Sequence, residues 1–120
     1  MTRQTLGGRV RTARVEAGLS LRELARRLGK TPSYLSDIEN NKRVPSEPVL
    51  RDFSRELPVE FDELMGLAGR FGEDAERYLK RSPAAAMLFR RISASRLGEQ
   101  DLAELLQKAE QLSRKKGSEK

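Results

Sequence analysis

Side chains able to do covalent or acid–base chemistry are scarce in this chain, and those present are poorly placed for it. The chain contains no cysteine and no histidine. That removes disulfides, thiol nucleophiles and thiolate ligands, together with the commonest metal ligand and general base. Ser113-Arg114-Lys115-Lys116 has the Ser-x-x-Lys spacing of certain acyl enzymes, but it sits in a charged tail with no fold around it. Asp62 and Glu63, and further on Glu73, Asp74 and Glu76, fall in first turns of expected helices, where carboxylates complement the helix dipole. Gly66-Leu67-Ala68-Gly69 has the GxxG spacing of a KH loop, which needs strands that this chain does not predict; Gly66 reads as the residue just past a helix end. No enzyme, cofactor or metal site is expected. What remains is the chemistry of recognition, through short polar side chains and 24 Lys and Arg residues.

Short polar residues gather on one expected helix, and the residues before it explain how that helix is held. Ser20 is a good N-cap, and Glu23 three residues later completes a capping box. Leu21, Leu24, Ala25 and Leu28 then share one helical face. Gly29 follows at the position where a left-handed residue ends a helix at little cost. Thr31 caps the next helix, and Pro32 occupies its first position, where the missing N–H costs nothing. Leu35 and Ile38 are its inward spokes, which leaves Pro32, Ser33, Ser36 and Asp37 on other faces. Two capped helices joined by a short glycine turn form a helix-turn-helix, and the second helix of that motif is the one that enters a DNA groove.

The flanking residues turn this motif into a family resemblance. Leu6-Gly7-Gly8-Arg9-Val10-Arg11-Thr12-Ala13-Arg14 before it and Ile38-Glu39-Asn40-Asn41-Lys42-Arg43-Val44-Pro45-Ser46 after it resemble the phage repressor and Cro-type regulators, also called the xenobiotic-response-element family. The resemblance covers about residues 6–69. It rests on an arginine in the first helix, Leu19-x-x-Arg22-Glu23-Leu24-Ala25, Tyr34-Leu35-Ser36-x-Ile38-Glu39 and the Pro45-Ser46 start of a fourth helix, all at fixed spacing. Asn41 stands where the family usually has glycine, and asparagine tolerates the left-handed conformation nearly as well.

The resemblance implies roles for particular residues. Pro32 and Ser33 match positions from which members read base edges in the major groove, unless Thr31 and Pro32 serve only as caps. Asp37 either accepts from cytosine N4, repels misplaced phosphates or bonds Ser33 one turn earlier. Tyr34 matches the position whose phenol lies along the sugar-phosphate backbone; the alternative is a tyrosine half-buried against helix two. Arg22 is expected to reach a phosphate or a groove-edge guanine, and Lys42 and Arg43 to clamp phosphates. Ser36 and Asn40 complete the expected DNA-binding set, while Arg26 and Arg27 read as solvated helix charges. Arg14 and Glu39 are implied to form a partly buried ion pair, a structural one, that locks helices one and three. Self-cleaving repressors place a serine–lysine pair in an added β domain of roughly 100 residues, for which this chain has neither strands nor room.

Size and charge agree with a small nucleic-acid binder. A length of 120 residues suits one small domain with an appendage. Aromatic content is 5% with no tryptophan, so the core must be aliphatic. The net charge of +6 favours a polyanionic partner. Residues 1–30 carry eight basic residues (Arg3, Arg9, Arg11, Arg14, Arg22, Arg26, Arg27, Lys30) against two acidic ones (Glu16, Glu23), whereas residues 31–69 carry four against eight. Positive charge is therefore expected beside the reading helix. Residues 1–8 hold no apolar core for a signal peptide, and no run of about 18 apolar residues occurs, so a cytoplasmic protein without membrane contact is expected.

Helical periodicity continues along the whole chain. Helix one is expected over 6–17, with Leu6, Val10, Ala13 and then Ala17 inward and Gly18 as the stop. After a loop at 40–45, Ser46 should cap a helix over 47–57 that buries Val49 or Leu50, Phe53 and Leu57. A fifth helix over 60–67 presents Phe61, Leu64 and Met65. Gly66, Gly69 and Gly72 then mark a boundary. Further helices are expected over 73–81, over 83–95 behind Ser82, and from Gly98 onward with Leu102, Leu105, Leu106, Ala109 and Leu112 on one stripe. The expected organisation is all-α: a five-helix repressor-type DNA-binding domain at 1–69, a helical dimerisation segment at 70–116 and a tail at 117–120, frayed from about Arg114.

The resulting expectation is sequence-specific binding to double-stranded DNA by a homodimeric repressor on a near-palindromic operator, with its two reading helices about 34 Å apart. A second reading is an antitoxin that neutralises a partner protein through residues 70–116 and autoregulates its operon; a toxin-like neighbouring gene or a stable heterocomplex distinguishes it. A coactivator-type adaptor is a third, recognisable by the lack of any salt-dependent DNA binding.

Overall fold

The computed structural model describes residues 4–118, which are all-α and divide into two compact units between Ala75 and Glu76. The first unit holds α1 (Leu6–Glu16), α2 (Leu21–Leu28), α3 (Pro32–Glu39), α4 (Glu47–Glu56) and α5 (Phe61–Leu67). Short side chains start three of them. Thr5 Oγ1 accepts from the Gly8 N–H, Ser20 Oγ from the Glu23 N–H and Thr31 Oγ1 from the Tyr34 N–H, at 3.0, 3.1 and 3.1 Å. Ser46 stands at the N-cap position of α4 but makes no capping bond, contrary to expectation; a proline within the first turn already removes one donor that would need satisfying.

Every helix of this unit contributes to one core. Val10 and Ala13 from α1, Leu24 and Ala25 from α2, Leu35 and Ile38 from α3, Leu50 and Phe53 from α4 and Leu64 from α5 are fully buried. Val49 and Leu50 are both inside, and Leu19, Leu57 and Val59 fill the joints between helices. Side chains of this size stabilise a fold by about 1.5–3 kcal/mol each when fully buried. The helix-turn-helix rests on its neighbours through α3 against α1 and α2, and α2 against α4. Gly29 adopts the left-handed conformation (φ 67°) that lets α2 stop within one residue of the turn.

Several expected details differ. Ala17 is exposed, because α1 ends at Glu16 and Ala17 serves as its C-cap. Gly66 lies inside α5, which runs to Leu67; Gly69 is the left-handed residue after it. The boundary expected after residue 69 falls instead at 75/76. Residues beyond 69 remain attached to the first unit: Arg70 Nε donates to the Pro45 carbonyl at 3.0 Å, and Gly72 lies beside Glu47 and Met65.

Helix α6 (Glu73–Arg81) spans the division, and the second unit continues with α7 (Pro83–Ser95) and α8 (Glu99–Ser118). Ser82 Oγ accepts from the Ala85 N–H at 3.2 Å and starts α7. Helix α8 runs through Ser118, past the Arg114 from which fraying is expected. Residues 119 and 120 of the expected tail lie outside the described residues. No helix among the described residues is long and apolar enough to cross a membrane.

Candidate nucleic-acid interface

Helix α3 is anchored at its C-terminal end by charge. Arg14 Nε and Nη2 donate to the two carboxylate oxygens of Glu39 at 2.7 and 3.0 Å, a bidentate pair that joins α1 to the last residue of α3. Arg14 Nη1 also donates to the Leu19 carbonyl at 2.9 Å, which ties in the end of the α1–α2 connection, just before the Ser20 cap. Only 14% of the arginine side chain and 7% of the glutamate are exposed, so each shields the other from an uncompensated burial. The hydrogen bond to Glu39 raises the Arg14 pKa further, burial opposing it, and the guanidinium stays charged at any working pH.

A second tie goes beyond the sequence reading. Asn41, left-handed at φ 59°, turns its carboxamide back to α1: its Oδ1 accepts from the Gly7 N–H at 2.9 Å and its Nδ2 donates to Thr5 Oγ1 at 3.1 Å. The first turn of α1 thus satisfies an otherwise orphaned donor through the loop after α3. Gly7 is required there by close approach, since a Cβ would sit 2.5 Å from the carbonyls of both Ile38 and Glu39. The signal available beforehand was the Gly7-Gly8 pair at a helix start, where glycine costs helix stability and therefore asks for a packing reason.

With its core side held, α3 presents the rest to solvent. Thr31, Pro32 and Ser33 are exposed at its N-terminal end, and Ser36 and Asp37 are half-exposed one turn later. Among the described residues no side-chain hydrogen bond joins Asp37 to Ser33; the Asp37 backbone carbonyl accepts from the Lys42 N–H at 2.8 Å. Asn40 Nδ2 donates to the Ser36 carbonyl and Oγ at 2.9 and 3.3 Å, so these two polar residues are first engaged with each other. Tyr34 is half-buried, its ring packed at the edge of the core. Lys30 Nζ lies 5.4 Å and the Arg43 guanidinium 5.0 Å from the ring centroid. Both cations are within the range of an attractive cation–π contact. Tyr34 thereby gathers the end of α2, the face of α3 and the loop after it around one ring. Lys30 was not singled out from sequence; its place directly after the turn glycine was the available signal.

The excess of positive charge in residues 1–30 is smaller at the surface than the sequence suggests. Arg14 is spent on Glu39; Arg9 pairs with Glu63 at 2.8 Å; Arg27 pairs with Glu56 at 3.5 Å. Arg22, Arg26, Lys42 and Arg43 are exposed and outside the ion pairs of the described residues, while Arg3 lies outside those residues. Across the first three helices and the loop after them, the exposed cations outside these ion pairs are therefore Arg11 on α1, Arg22 and Arg26 on α2, Lys30 in the turn, and Lys42 and Arg43 in the loop. No cluster that could hold a metal ion occurs among the described residues.

Two capped helices in a glycine turn, with a polar outer face on the second and a buried arginine–glutamate lock behind it, form a repressor-type helix-turn-helix. Residues 10–64, a little under half of the chain, match the family model described as helix-turn-helix. Two uncharacterized HTH-type transcriptional regulators from strains of Mycobacterium tuberculosis are each 38% identical to it over 63 residues, 52% of this chain. The chain spans 45% of the length of these curated relatives. Among solved structures, the master regulator for biofilm formation SinR in complex with DNA is 40% identical, covering 51% of this chain and 98% of that one at a TM-score of 0.48. A SinR protein/SinI protein complex is 29% identical over 92% of this chain and 99% of that one, with a TM-score of 0.49.

Proposed function

We propose that this chain is a cytoplasmic, sequence-specific regulator of transcription that binds double-stranded DNA as a homodimer and represses from a near-palindromic operator. The observation that carries the reading is the outer end of α3: exposed Thr31, Pro32 and Ser33, bordered by the Lys30–Tyr34–Arg43 cluster. Short side chains let a helix backbone approach base edges closely, so Ser33 and Pro32 are assigned to reading, with Ser36, Asp37 and Asn40 one turn further along the groove. Arg22, Lys30, Lys42 and Arg43 are assigned to phosphates, which position the helix and supply most of the affinity. The relatives named as transcriptional regulators support the same role for the segment they share with this chain.

The dimer is assigned to the second unit. Met87, Leu88 and Phe89 on α7 and Leu106 and Leu112 on α8 are each more than half exposed, and a patch of that kind marks an association surface. One helix-turn-helix reads only a few base pairs, so pairing two of them on successive major grooves supplies the missing specificity. Selection of bound sequences from random DNA tests both parts together. Enrichment of a two-fold symmetric motif, weakened by salt, is the expected result. Failure to enrich any sequence removes specific DNA recognition, and a single asymmetric half-site removes the dimeric operator.

A further inference from the structure

The pattern of α8 specifies more than association. Leu102, Leu105, Ala109 and Leu112 follow three–four–three spacing, the seam positions of a coiled coil, and Leu106 widens that seam on one side. Leu102 is half-buried within the unit; Leu105, Leu106, Ala109 and Leu112 are exposed. Charge is distributed unevenly along the same helix. Residues 99–104 carry Glu99, Asp101 and Glu104 and no cation, whereas residues 108–116 carry Lys108, Arg114, Lys115 and Lys116 against Glu110 alone. Within one helix this gradient complements the macrodipole. Between two copies it has a direction.

We infer that α8 is the homodimer seam and that it pairs antiparallel with α8 of a second copy, an assignment that rests on the homodimer reading above. A parallel pair brings the three acidic residues of one copy beside those of the other, and likewise the basic ends, which is repulsive at both ends. An antiparallel pair sets each acidic end against a basic one, and the two macrodipoles oppose. Packing favours the same choice. With the two-fold axis near residue 107, Leu102 meets Leu112 of the second copy, and Leu105 meets Ala109, large against small in the inner layers. Leu106 then lies beside its own copy across the axis. In the parallel arrangement Ala109 would face Ala109 and leave a gap in the seam, a loss of apolar contact at its centre.

The absence of cysteine in the native sequence makes disulfide trapping a clean test. Full-length Leu102→Cys and Leu112→Cys are prepared singly, oxidised alone and oxidised as a mixture, with light scattering on the reduced proteins. The expected result is a reduced dimer in which neither variant cross-links efficiently by itself and the mixture gives a covalent heterodimer. Self-linking of each variant alone means a parallel pair and overturns the inference. A dimer that cross-links in no combination places the seam elsewhere and also overturns it, while the homodimer reading survives. A monomer by light scattering sinks both. Should a seam cysteine disturb folding, Asp101→Cys with Lys115→Cys, which flank the stripe, gives the same readout through a short bis-maleimide. As a second measurement, Leu106→Asp sets two carboxylates together at the axis and is expected to weaken dimerisation by about tenfold or more; an unchanged dissociation constant is incompatible with the seam.

Discussion

Leu24 with Ala25 and Leu35 with Ile38 in the first unit, and Leu105, Leu106 and Leu112 in the second, obey the same three- and four-residue rhythm. The first set is fully buried, while the second is 38–62% exposed. The difference lies in what surrounds each stripe. Helix α3 has α1 and α2 packed on it, and α2 also has α4. In the second unit, by contrast, neither α6 nor α7 holds a buried residue. An apolar stripe states that a helix must be covered; it does not state whether its own chain or a second molecule covers it. In the helix-turn-helix the cover is internal, and the outer face left exposed is polar. On α8 the apolar face itself is left.

The sharpest way to test that contrast is to truncate a leucine in each unit. Leu35→Ala, at a fully buried site, is expected to cost about 2–5 kcal/mol in urea unfolding of the first unit. A loss below about 1 kcal/mol would mean that α3 is not packed as described. Next in size, Glu39→Gln leaves Arg14 with a neutral partner in a nearly dry site and is expected to cost about 3 kcal/mol. An unchanged midpoint would reduce the pair to a surface contact. Gly7→Ala follows at about 1–3 kcal/mol, because the added methyl meets two carbonyls at the end of α3. Serine there should be no better tolerated than alanine, which separates close approach from a mere loss of helix capping.

Smaller effects separate kinds of recognition. Lys42→Ala is expected to weaken binding about equally on all DNA sequences and to make the salt dependence shallower by about one unit of slope. Ser33→Ala should change preference at one or two base pairs by about 1 kcal/mol and leave that slope unchanged. Uniform loss in both variants would mean that α3 is not the reader. The smallest effect is expected in the second unit: Leu106→Ala should move monomer stability by no more than about 0.5 kcal/mol while weakening self-association. A large loss of monomer stability would show that α8 is covered by its own chain after all.

Sequence alone determined those features whose causes are local. The caps at Ser20 and Thr31, the left-handed turn at Gly29 and the inward spokes Leu24, Leu35 and Ile38 depend on residues within a turn of one another, and each is present in the structure. The family resemblance carried the Arg14–Glu39 partnership as well, although 25 residues separate the two. Tertiary structure decided what depends on distant groups arriving together. It turned Asn41 toward Gly7 and Thr5, removed Arg9 and Arg27 from the available charge through Glu63 and Glu56, and brought Lys30 and Arg43 to one tyrosine ring. It also keeps Arg70 with the first unit by a bond to the Pro45 carbonyl, and the division falls at 75/76, past Gly66, Gly69 and Gly72. Periodicity records which side of a helix is apolar, whereas burial and net surface charge are settled only when non-neighbouring segments meet, because both depend on what each side chain finally touches.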